Sequence, residues 1–194
     1  MTKQLWADTL IGDEHYALMN LNHAQIEERI IADMDAGVDV YYDNRWAATG
    51  ILSEWLAQNL ELIQEKNVLI LGAGVGSETL VLGRHCKHVW INDLSAVALE
   101  LCAEQMDQNS FKNYTTLCGR YEELDLPEVD LVVASFLIYN KDTYTAMRSF
   151  IANHKGEVIL MNERLGPFPK FLEQEAHTII FEIDDAVGVL LKRG

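Results

Sequence analysis

The apolar run Val68–Leu71 ends abruptly in Gly72-Ala73-Gly74-Val75-Gly76-Ser77, and no other stretch limits the possible folds as much. A short strand-like run broken by closely spaced glycines, with a helix-compatible segment after it, reads as a strand-to-helix turn that cradles a nucleotide. The glycines fall at alternate positions, so the dinucleotide fingerprint G-x-G-x-x-G is not met and Ser77 takes its third-glycine place. No Gly-Lys-Ser/Thr follows them, which argues against the phosphate grip of an NTPase.

The rest of the chain supplies the context such a turn needs. Ile26, Ile30, Ile31 and Met34 recur at helical spacing between Ala24 and Met34, with Gly37 as a stop. Ile51, Leu52, Trp55, Leu56, Leu60 and Ile63 predict a longer helix from Ala47 to roughly Gln64. Beyond it the rhythm changes to short apolar runs: Val68–Leu71, Val89–Ile91, Tyr114–Leu117, Leu131–Ala134 and Val158–Met161. Helical segments separate most of them, at Glu78–Gly83, Ala96–Gln108 and Thr143–Ala152, the signature of a parallel sheet with crossover helices. Two further strand-like runs, Thr178–Ile183 and Val187–Lys192, are joined only by Asp184-Asp185-Ala186, and so short a connection permits only an antiparallel pair. The expected fold is α/β: a doubly wound, mostly parallel Rossmann-like sheet with a C-terminal antiparallel hairpin and N-terminal helices.

At 194 residues the chain accommodates one domain, read as a helical extension over 1–64 and a sheet core over 65–194. Its 15 Lys+Arg against 30 Asp+Glu leave a net charge of −15, which repels phosphate backbones and anionic membranes. A basic or neutral partner is therefore expected, with no nucleic-acid and no membrane partner. Cys86, Cys102 and Cys118 form no C-x-x-C pair and read as reduced, mostly buried thiols. His85-Cys86-Lys87-His88 straddles a helix end and a strand start, where neighbouring side chains diverge, so no metal site is expected. The segment Met1–Asp8 lacks the apolar core of a signal peptide, and Leu131–Tyr139 is too short to cross a bilayer; a cytoplasmic location is the default.

The second apolar run closes with Asn92-Asp93, about twenty residues after the first glycine, where a strand-tip carboxylate accepts hydrogen bonds from both hydroxyls of a ribose. A competing role for Asp93 is to cap the helix from Ala96, although Ser95 also suits that post. Strand, glycine turn, helix, strand and terminal acid together read as an adenosine site.

These residues resemble the class I, seven-strand S-adenosylmethionine-dependent methyltransferases, whose first motif carries alternating glycines as at Gly72, Gly74 and Gly76 and whose sheet ends in an antiparallel strand. Within that superfamily the chain is similar to the seven-strand protein-lysine methyltransferases that include the electron-transfer-flavoprotein β-subunit lysine methyltransferase. Three segments carry the narrower likeness: Trp46 to Leu56, Ile91-Asn92-Asp93, and Asp130 to Tyr139. The resemblance implies S-adenosylmethionine as cofactor, held by Trp46, Gly72, Ala73, Gly74, Gly76, Asn92, Asp93 and Ser135. Tyr139 is then the residue that positions the acceptor, and Trp46 closes the pocket beside the aromatic surface of Tyr41 and Tyr42. It further implies methyl transfer to a protein side chain, lysine among them, or to a small molecule.

Three positions depart from the family pattern. Phe136 stands where its post-strand loop has an acid, Ile70 holds the strand position of another, and Arg120 replaces an acid near the adenine. Two rival readings stay open: a protein that keeps this fold as a binding or scaffolding module, and an NAD-dependent oxidoreductase, disfavoured by Ser77 and by the absence of a large second domain. Glu163 and Arg164, after the fifth run, are expected to form an ion pair at the crevice rim.

Overall fold

The computed structural model of the chain describes residues 4–37, 39–44 and 47–192. Two strands, β1 (Trp6–Ile11) and β2 (Glu14–Met19), open it as an antiparallel hairpin, followed by α1 (Ala24–Asp35) and α2 (Ala47–Gln58). The core then alternates β3 (Asn67–Leu71), α3 (Glu78–His85), β4 (His88–Asp93), α4 (Ala96–Gln108), β5 (Tyr114–Cys118), β6 (Leu131–Ser135), α5 (Lys141–Asn153) and β7 (Glu157–Glu163). It closes with α6 (Phe168–Gln174), β8 (Thr178–Ile183) and β9 (Ala186–Leu191).

The seven-stranded sheet has the order β5-β4-β3-β6-β7-β9-β8, parallel from β5 to β7, with β9 antiparallel between β7 and β8. This is the expected doubly wound sheet with its terminal hairpin. Its central strands are buried on both faces. Val68 and Ile70 of β3 and Val133 of β6 join Leu52, Leu56, Leu80 and Leu82 on one side, while Leu69, Leu71, Val132 and Ala134 join Met147, Ile151, Phe168 and Phe171 on the other. The period-2 alternation of the strands thus selects which helices lie over each face.

The N-terminal region differs from a purely helical extension. No element was expected before Ala24, yet residues 6–19 pair strand to strand around Gly12, whose φ of +59° suits the turn. The hairpin has no uninterrupted apolar run to announce it: Trp6-Ala7-Asp8-Thr9-Leu10-Ile11 gains its stability by docking, not by local pattern. The second helix stops at Gln58 instead of about Gln64, because Asn59 and a 3-10 turn at Leu60–Leu62 redirect the chain into β3. The helix α6 was not anticipated either; its phenylalanines Phe168 and Phe171 are buried against the second face.

Phe171 is fully buried. Phe171→Ala is therefore expected to lower unfolding free energy by about 3–5 kcal/mol, measured by urea titration.

Candidate functional site

The strand order reverses at β3, whose chain continues through α3 to β4 on one side while β6 pairs on the other. In a doubly wound sheet the crevice at such a switch point, beyond the carboxyl ends of the strands, receives ligands. A cavity of about 550 Å³ lies there, within the roughly 300–1,000 Å³ of small-molecule sites. It is lined by the loops that leave four parallel strands: 72–76 after β3, 92–94 from β4, 119–122 after β5 and 135–143 after β6.

The glycine turn is tight because its backbone takes left-handed conformations. Gly72 has φ +60° and Gly74 φ +53°, and a Cβ at Gly72 would come within 2.3 Å of Leu137 Cδ2. Only glycine meets both demands at position 72. Ala73 N–H donates to Asn92 O at 3.0 Å and Gly76 N–H to Ala73 O at 3.1 Å, which folds the turn back over the tip of β4.

Asp93 stands at that tip. Its Oδ2 accepts from Gly74 N–H at 2.8 Å and its Oδ1 from Ser95 N–H at 2.9 Å, so the carboxylate is fixed against the turn while facing the cavity. Ser95 is the helix cap, its Oγ accepting from Ala98 N–H at 3.0 Å, and this leaves Asp93 for the crevice. Burial pushes the Asp93 carboxyl above its ordinary value, against the lowering effect of its backbone donors. Asn92 is also in the lining, but its side-chain amide donates to Leu117 O and Gly119 O, both at 2.9 Å. It ties the β5 loop to the β4 tip.

Ser135, at the end of β6, is 8% exposed, and its buried hydroxyl has no hydrogen-bond partner among the described residues. The loop after it is set by an unusual backbone. Phe136, where the family acid was expected, has φ +56°, a strained conformation for a residue with a Cβ. Phe136 N–H donates to Met161 O at 2.8 Å, and the buried Asn162 grips Ile138 from both ends, accepting from its N–H and donating to its carbonyl at 3.1 Å each. The capping box of Asn140 and Thr143 then fixes the start of α5. Together these contacts aim Tyr139 at the mouth, 39% exposed, with its ring 5.5 Å from that of Tyr41. Tyr139 is therefore not packed beneath its loop. Burial, then Tyr41 and Asp39, push its phenol above the ordinary value.

Several lining residues were not anticipated as site residues. Tyr42 is buried over Gly74, its hydroxyl donating to Asp33 Oδ2 at 2.6 Å, and Asp33 also accepts from Ser95 Oγ at 2.8 Å. Glu78, 1% exposed, sits in the first turn of α3, where the helix dipole favours a carboxylate. Glu122 lines the cavity and pairs with Arg120, so an acid is present beside the arginine that replaced one. Tyr41 and Tyr42 had a sequence signal as aromatic surface beside the pocket; Asp33 and Glu78 come from the helices α1 and α3, and Glu122 from the loop after β5.

Trp46 lies outside the described residues. Glu163 and Arg164 do not pair with each other; Arg164 pairs with Glu182 of β8, because the strand pairing brings that side chain across. Cys118 is exposed, unlike Cys86 and Cys102. His85 bonds to Glu14 at 2.9 Å while His88 bonds to Thr115 at 3.0 Å, so the two histidines serve different neighbours. Among the described residues no helix is long and apolar enough to cross a membrane.

A family model described as a methyltransferase domain matches residues 68–155. Protein arginine N-methyltransferase 1 of Saccharomyces cerevisiae is 32% identical over 88 residues, 43% of this chain and 25% of the yeast protein, so the match spans a quarter of that relative's length. Among solved structures, a T. thermophilus 16S rRNA N2 G1207 methyltransferase in complex with AdoMet and guanosine aligns with TM-score 0.70 and 17% identity, over 99% of this chain and 52% of that one. A ribosomal protein L11 methylase from Lactobacillus delbrueckii aligns with TM-score 0.59 and 16% identity, over 74% and 79%.

The rRNA enzyme overturns the exclusion of a nucleic-acid partner drawn from net charge. This fold serves a nucleic-acid methyltransferase, and an acidic total governs long-range encounter, not the substrates a fold can serve. No relative among these carries the narrower lysine-methyltransferase likeness.

Asp93 also gives the site a pH signature. Its carboxyl is raised in the folded state, so the stability linked to it is fully present below the unfolded carboxylate value and is lost as pH rises through the folded value. Urea melts of wild type and Asp93→Asn across that window should show wild type losing stability relative to the variant as pH rises. A gap independent of pH would contradict the burial argument. Taken together, the strand order, the glycine turn and these alignments give the chain the class I, seven-stranded fold of the S-adenosylmethionine-dependent methyltransferases.

Proposed function

We propose that this chain binds S-adenosylmethionine over the glycine turn and transfers its methyl group to a nucleophile entering beside Tyr139. The observation that carries this reading is Asp93, a strand-tip carboxylate held by Gly74 N–H next to a left-handed glycine turn. The residues suit the cofactor. Asp93 oxygens retain lone pairs for ribose hydroxyls, Gly72 and Gly74 let the backbone approach closely, and Ser135 Oγ offers a hydroxyl not already engaged.

Bound there, S-adenosylmethionine supplies a methyl carbon on a positively charged sulfur, open to in-line displacement without covalent help. The protein's part is to hold and orient. Gly72, Ala73, Gly74 and Gly76 carry the amino-acid end, Asp93 the ribose, and the Asn92-held β5 loop walls the base. Fixing donor and acceptor in a near-attack arrangement is worth up to about 7–11 kcal/mol of the barrier.

Protein side chains and small molecules are the acceptors this reading favours. Asp39, Tyr41, Tyr139 and Asp142 line the mouth, two carboxylates and two aromatic faces that attract a cation. This chemistry favours a basic amine, with lysine as the protein candidate; its ammonium would first give a proton to solvent or to the mouth carboxylates Asp39 and Asp142, and the free amine would then displace S-adenosylhomocysteine. Because its phenol is raised, Tyr139 stays protonated at neutral pH and orients the acceptor through its hydroxyl and ring instead of acting as a phenolate base.

Calorimetric titration with S-adenosylmethionine and S-adenosylhomocysteine tests the reading. Wild type is expected to bind both. Asp93→Ala is expected to weaken each by about 10- to 100-fold, the loss of hydrogen bonds to a charged group, and Tyr139→Phe by less than about threefold, since the phenol is assigned to the acceptor side. Equal affinities in the two variants would sink the assignment, and NAD binding in place of both sulfur compounds would point to redox chemistry.

A further inference from the structure

In a two-stranded antiparallel hairpin, alternate residues of each strand turn their N–H and C=O groups away from the partner, and an outward edge that is buried must find other donors and acceptors. On β2 those residues are His15, Ala17 and Met19; Arg84 donates to His15 O at 3.0 Å, and the C-terminal part of α4 covers the other two. The Asn109 side chain accepts from Ala17 N–H at 2.9 Å and donates to Ala17 O at 2.8 Å. Gln105 Oε1 accepts from Met19 N–H at 2.9 Å. Two side-chain amides thus stand in for the backbone of a third strand, because a carboxamide carries the same donor and acceptor pair as a peptide.

Gln105 differs from Asn109 in where its other end goes. It is fully buried, and its Nε2 donates to Gly76 O at 3.3 Å, the carbonyl that also accepts from Thr79 Oγ1 at 2.8 Å. One side chain therefore joins the N-terminal hairpin to the last glycine of the turn. We infer that Gln105 is a positioning residue that sets the geometry of the glycine turn from the hairpin, so that cofactor affinity depends on an element that does not line the cavity.

Physical reasons support a role beyond packing. The turn departs from regular structure at two left-handed glycines, which have the largest backbone freedom to lose, and it needs contacts from outside to hold one conformation. Thr79 is local, three residues on, whereas Gln105 reaches the turn from the fully formed α4. Met19 in turn belongs to a cluster with Ile26, Ile30, Tyr42 and Val75, so the hairpin, α1 and the turn share one small core.

The binding consequence rests on the proposed S-adenosylmethionine site, while the structural link can be read without any ligand. The test compares Gln105→Met, of similar size but without the amide, with Asn109→Ala, which cuts the other half of the hairpin's edge; Asn109 Nδ2 also donates to the Gln105 backbone carbonyl at 2.8 Å but touches nothing in the turn. Three readouts are needed: melting temperature, backbone amide exchange over residues 74–77, and calorimetric Kd for S-adenosylhomocysteine. Both variants are expected to melt lower than wild type. Only Gln105→Met should exchange faster over 74–77 and bind S-adenosylhomocysteine about tenfold more weakly, the loss expected of one neutral hydrogen bond. Asn109→Ala should stay within about twofold of wild type in both, because it leaves the Gln105 amide bonds to Met19 and Gly76 in place.

Unchanged exchange in Gln105→Met, or equal losses of affinity in the two variants, would overturn the inference. If wild type itself failed to bind S-adenosylhomocysteine, the functional reading would fall and the dependence of affinity on the hairpin would fall with it. The exchange comparison would then decide the mechanical link on its own.

Discussion

The hydrogen bond from Gly74 N–H to the Asp93 carboxylate joins the ends of two adjacent parallel strands, and the geometry of the crevice follows from it. Parallel strands release their chains at the same edge of the sheet, so the loops after β3 and β4 must diverge or interlock. Here they interlock. The carboxylate takes a donor from each loop, Gly74 and Ser95, and the turn folds back through Ala73 N–H onto Asn92 O. Burial raises the proton affinity of this carboxyl, so its ionised form is held at a cost to the fold. A strand-tip acid retained under those terms is typical of a site that needs a charge at a fixed place.

The opposite wall is organised by a different device. Asn162 reaches from β7 to clamp Ile138, Phe136 is kept in a left-handed conformation by its bond to Met161, and the Asn140–Thr143 box starts α5. No single contact here is strong; neutral hydrogen bonds contribute about 1 kcal/mol each. Their value is convergence on one short loop, which turns Tyr139 outward to meet Tyr41 at the mouth. The aromatic pair sits among Asp39 and Asp142, so the mouth of the cavity is both acidic and rich in π-faces. The glycine-turn side is governed by backbone, the mouth by side chains.

Much of this was legible in the chain. The core strands fell within one or two residues of their apolar runs, since buried parallel strands need uninterrupted hydrophobic stretches and the glycines marked where the first had to end. Asp93 was legible because its distance from the turn is set by one helix and one strand. The hairpin over 6–19 was not, because its outward edge is satisfied by Gln105 and Asn109, about 90 residues downstream, and no local pattern encodes that. The Arg164 partner was missed for the same reason: Glu182 is brought to it by the insertion of β9 between β7 and β8.

By itself the sequence determined the fold class, the glycine turn and the acid beside it, because hydrophobic period, glycine spacing and strand ends are local properties. Only the tertiary structure decided which side chains share the cavity, as with Tyr42 over Gly74, and which ones support it from outside, as with Gln105 between hairpin and glycine. Tyr42 over Gly74 and Gln105 between Met19 and Gly76 join segments far apart in the chain, and their pairing depends on the order in which strands enter the sheet. That order is set by the burial of whole faces, a property no short window of residues contains.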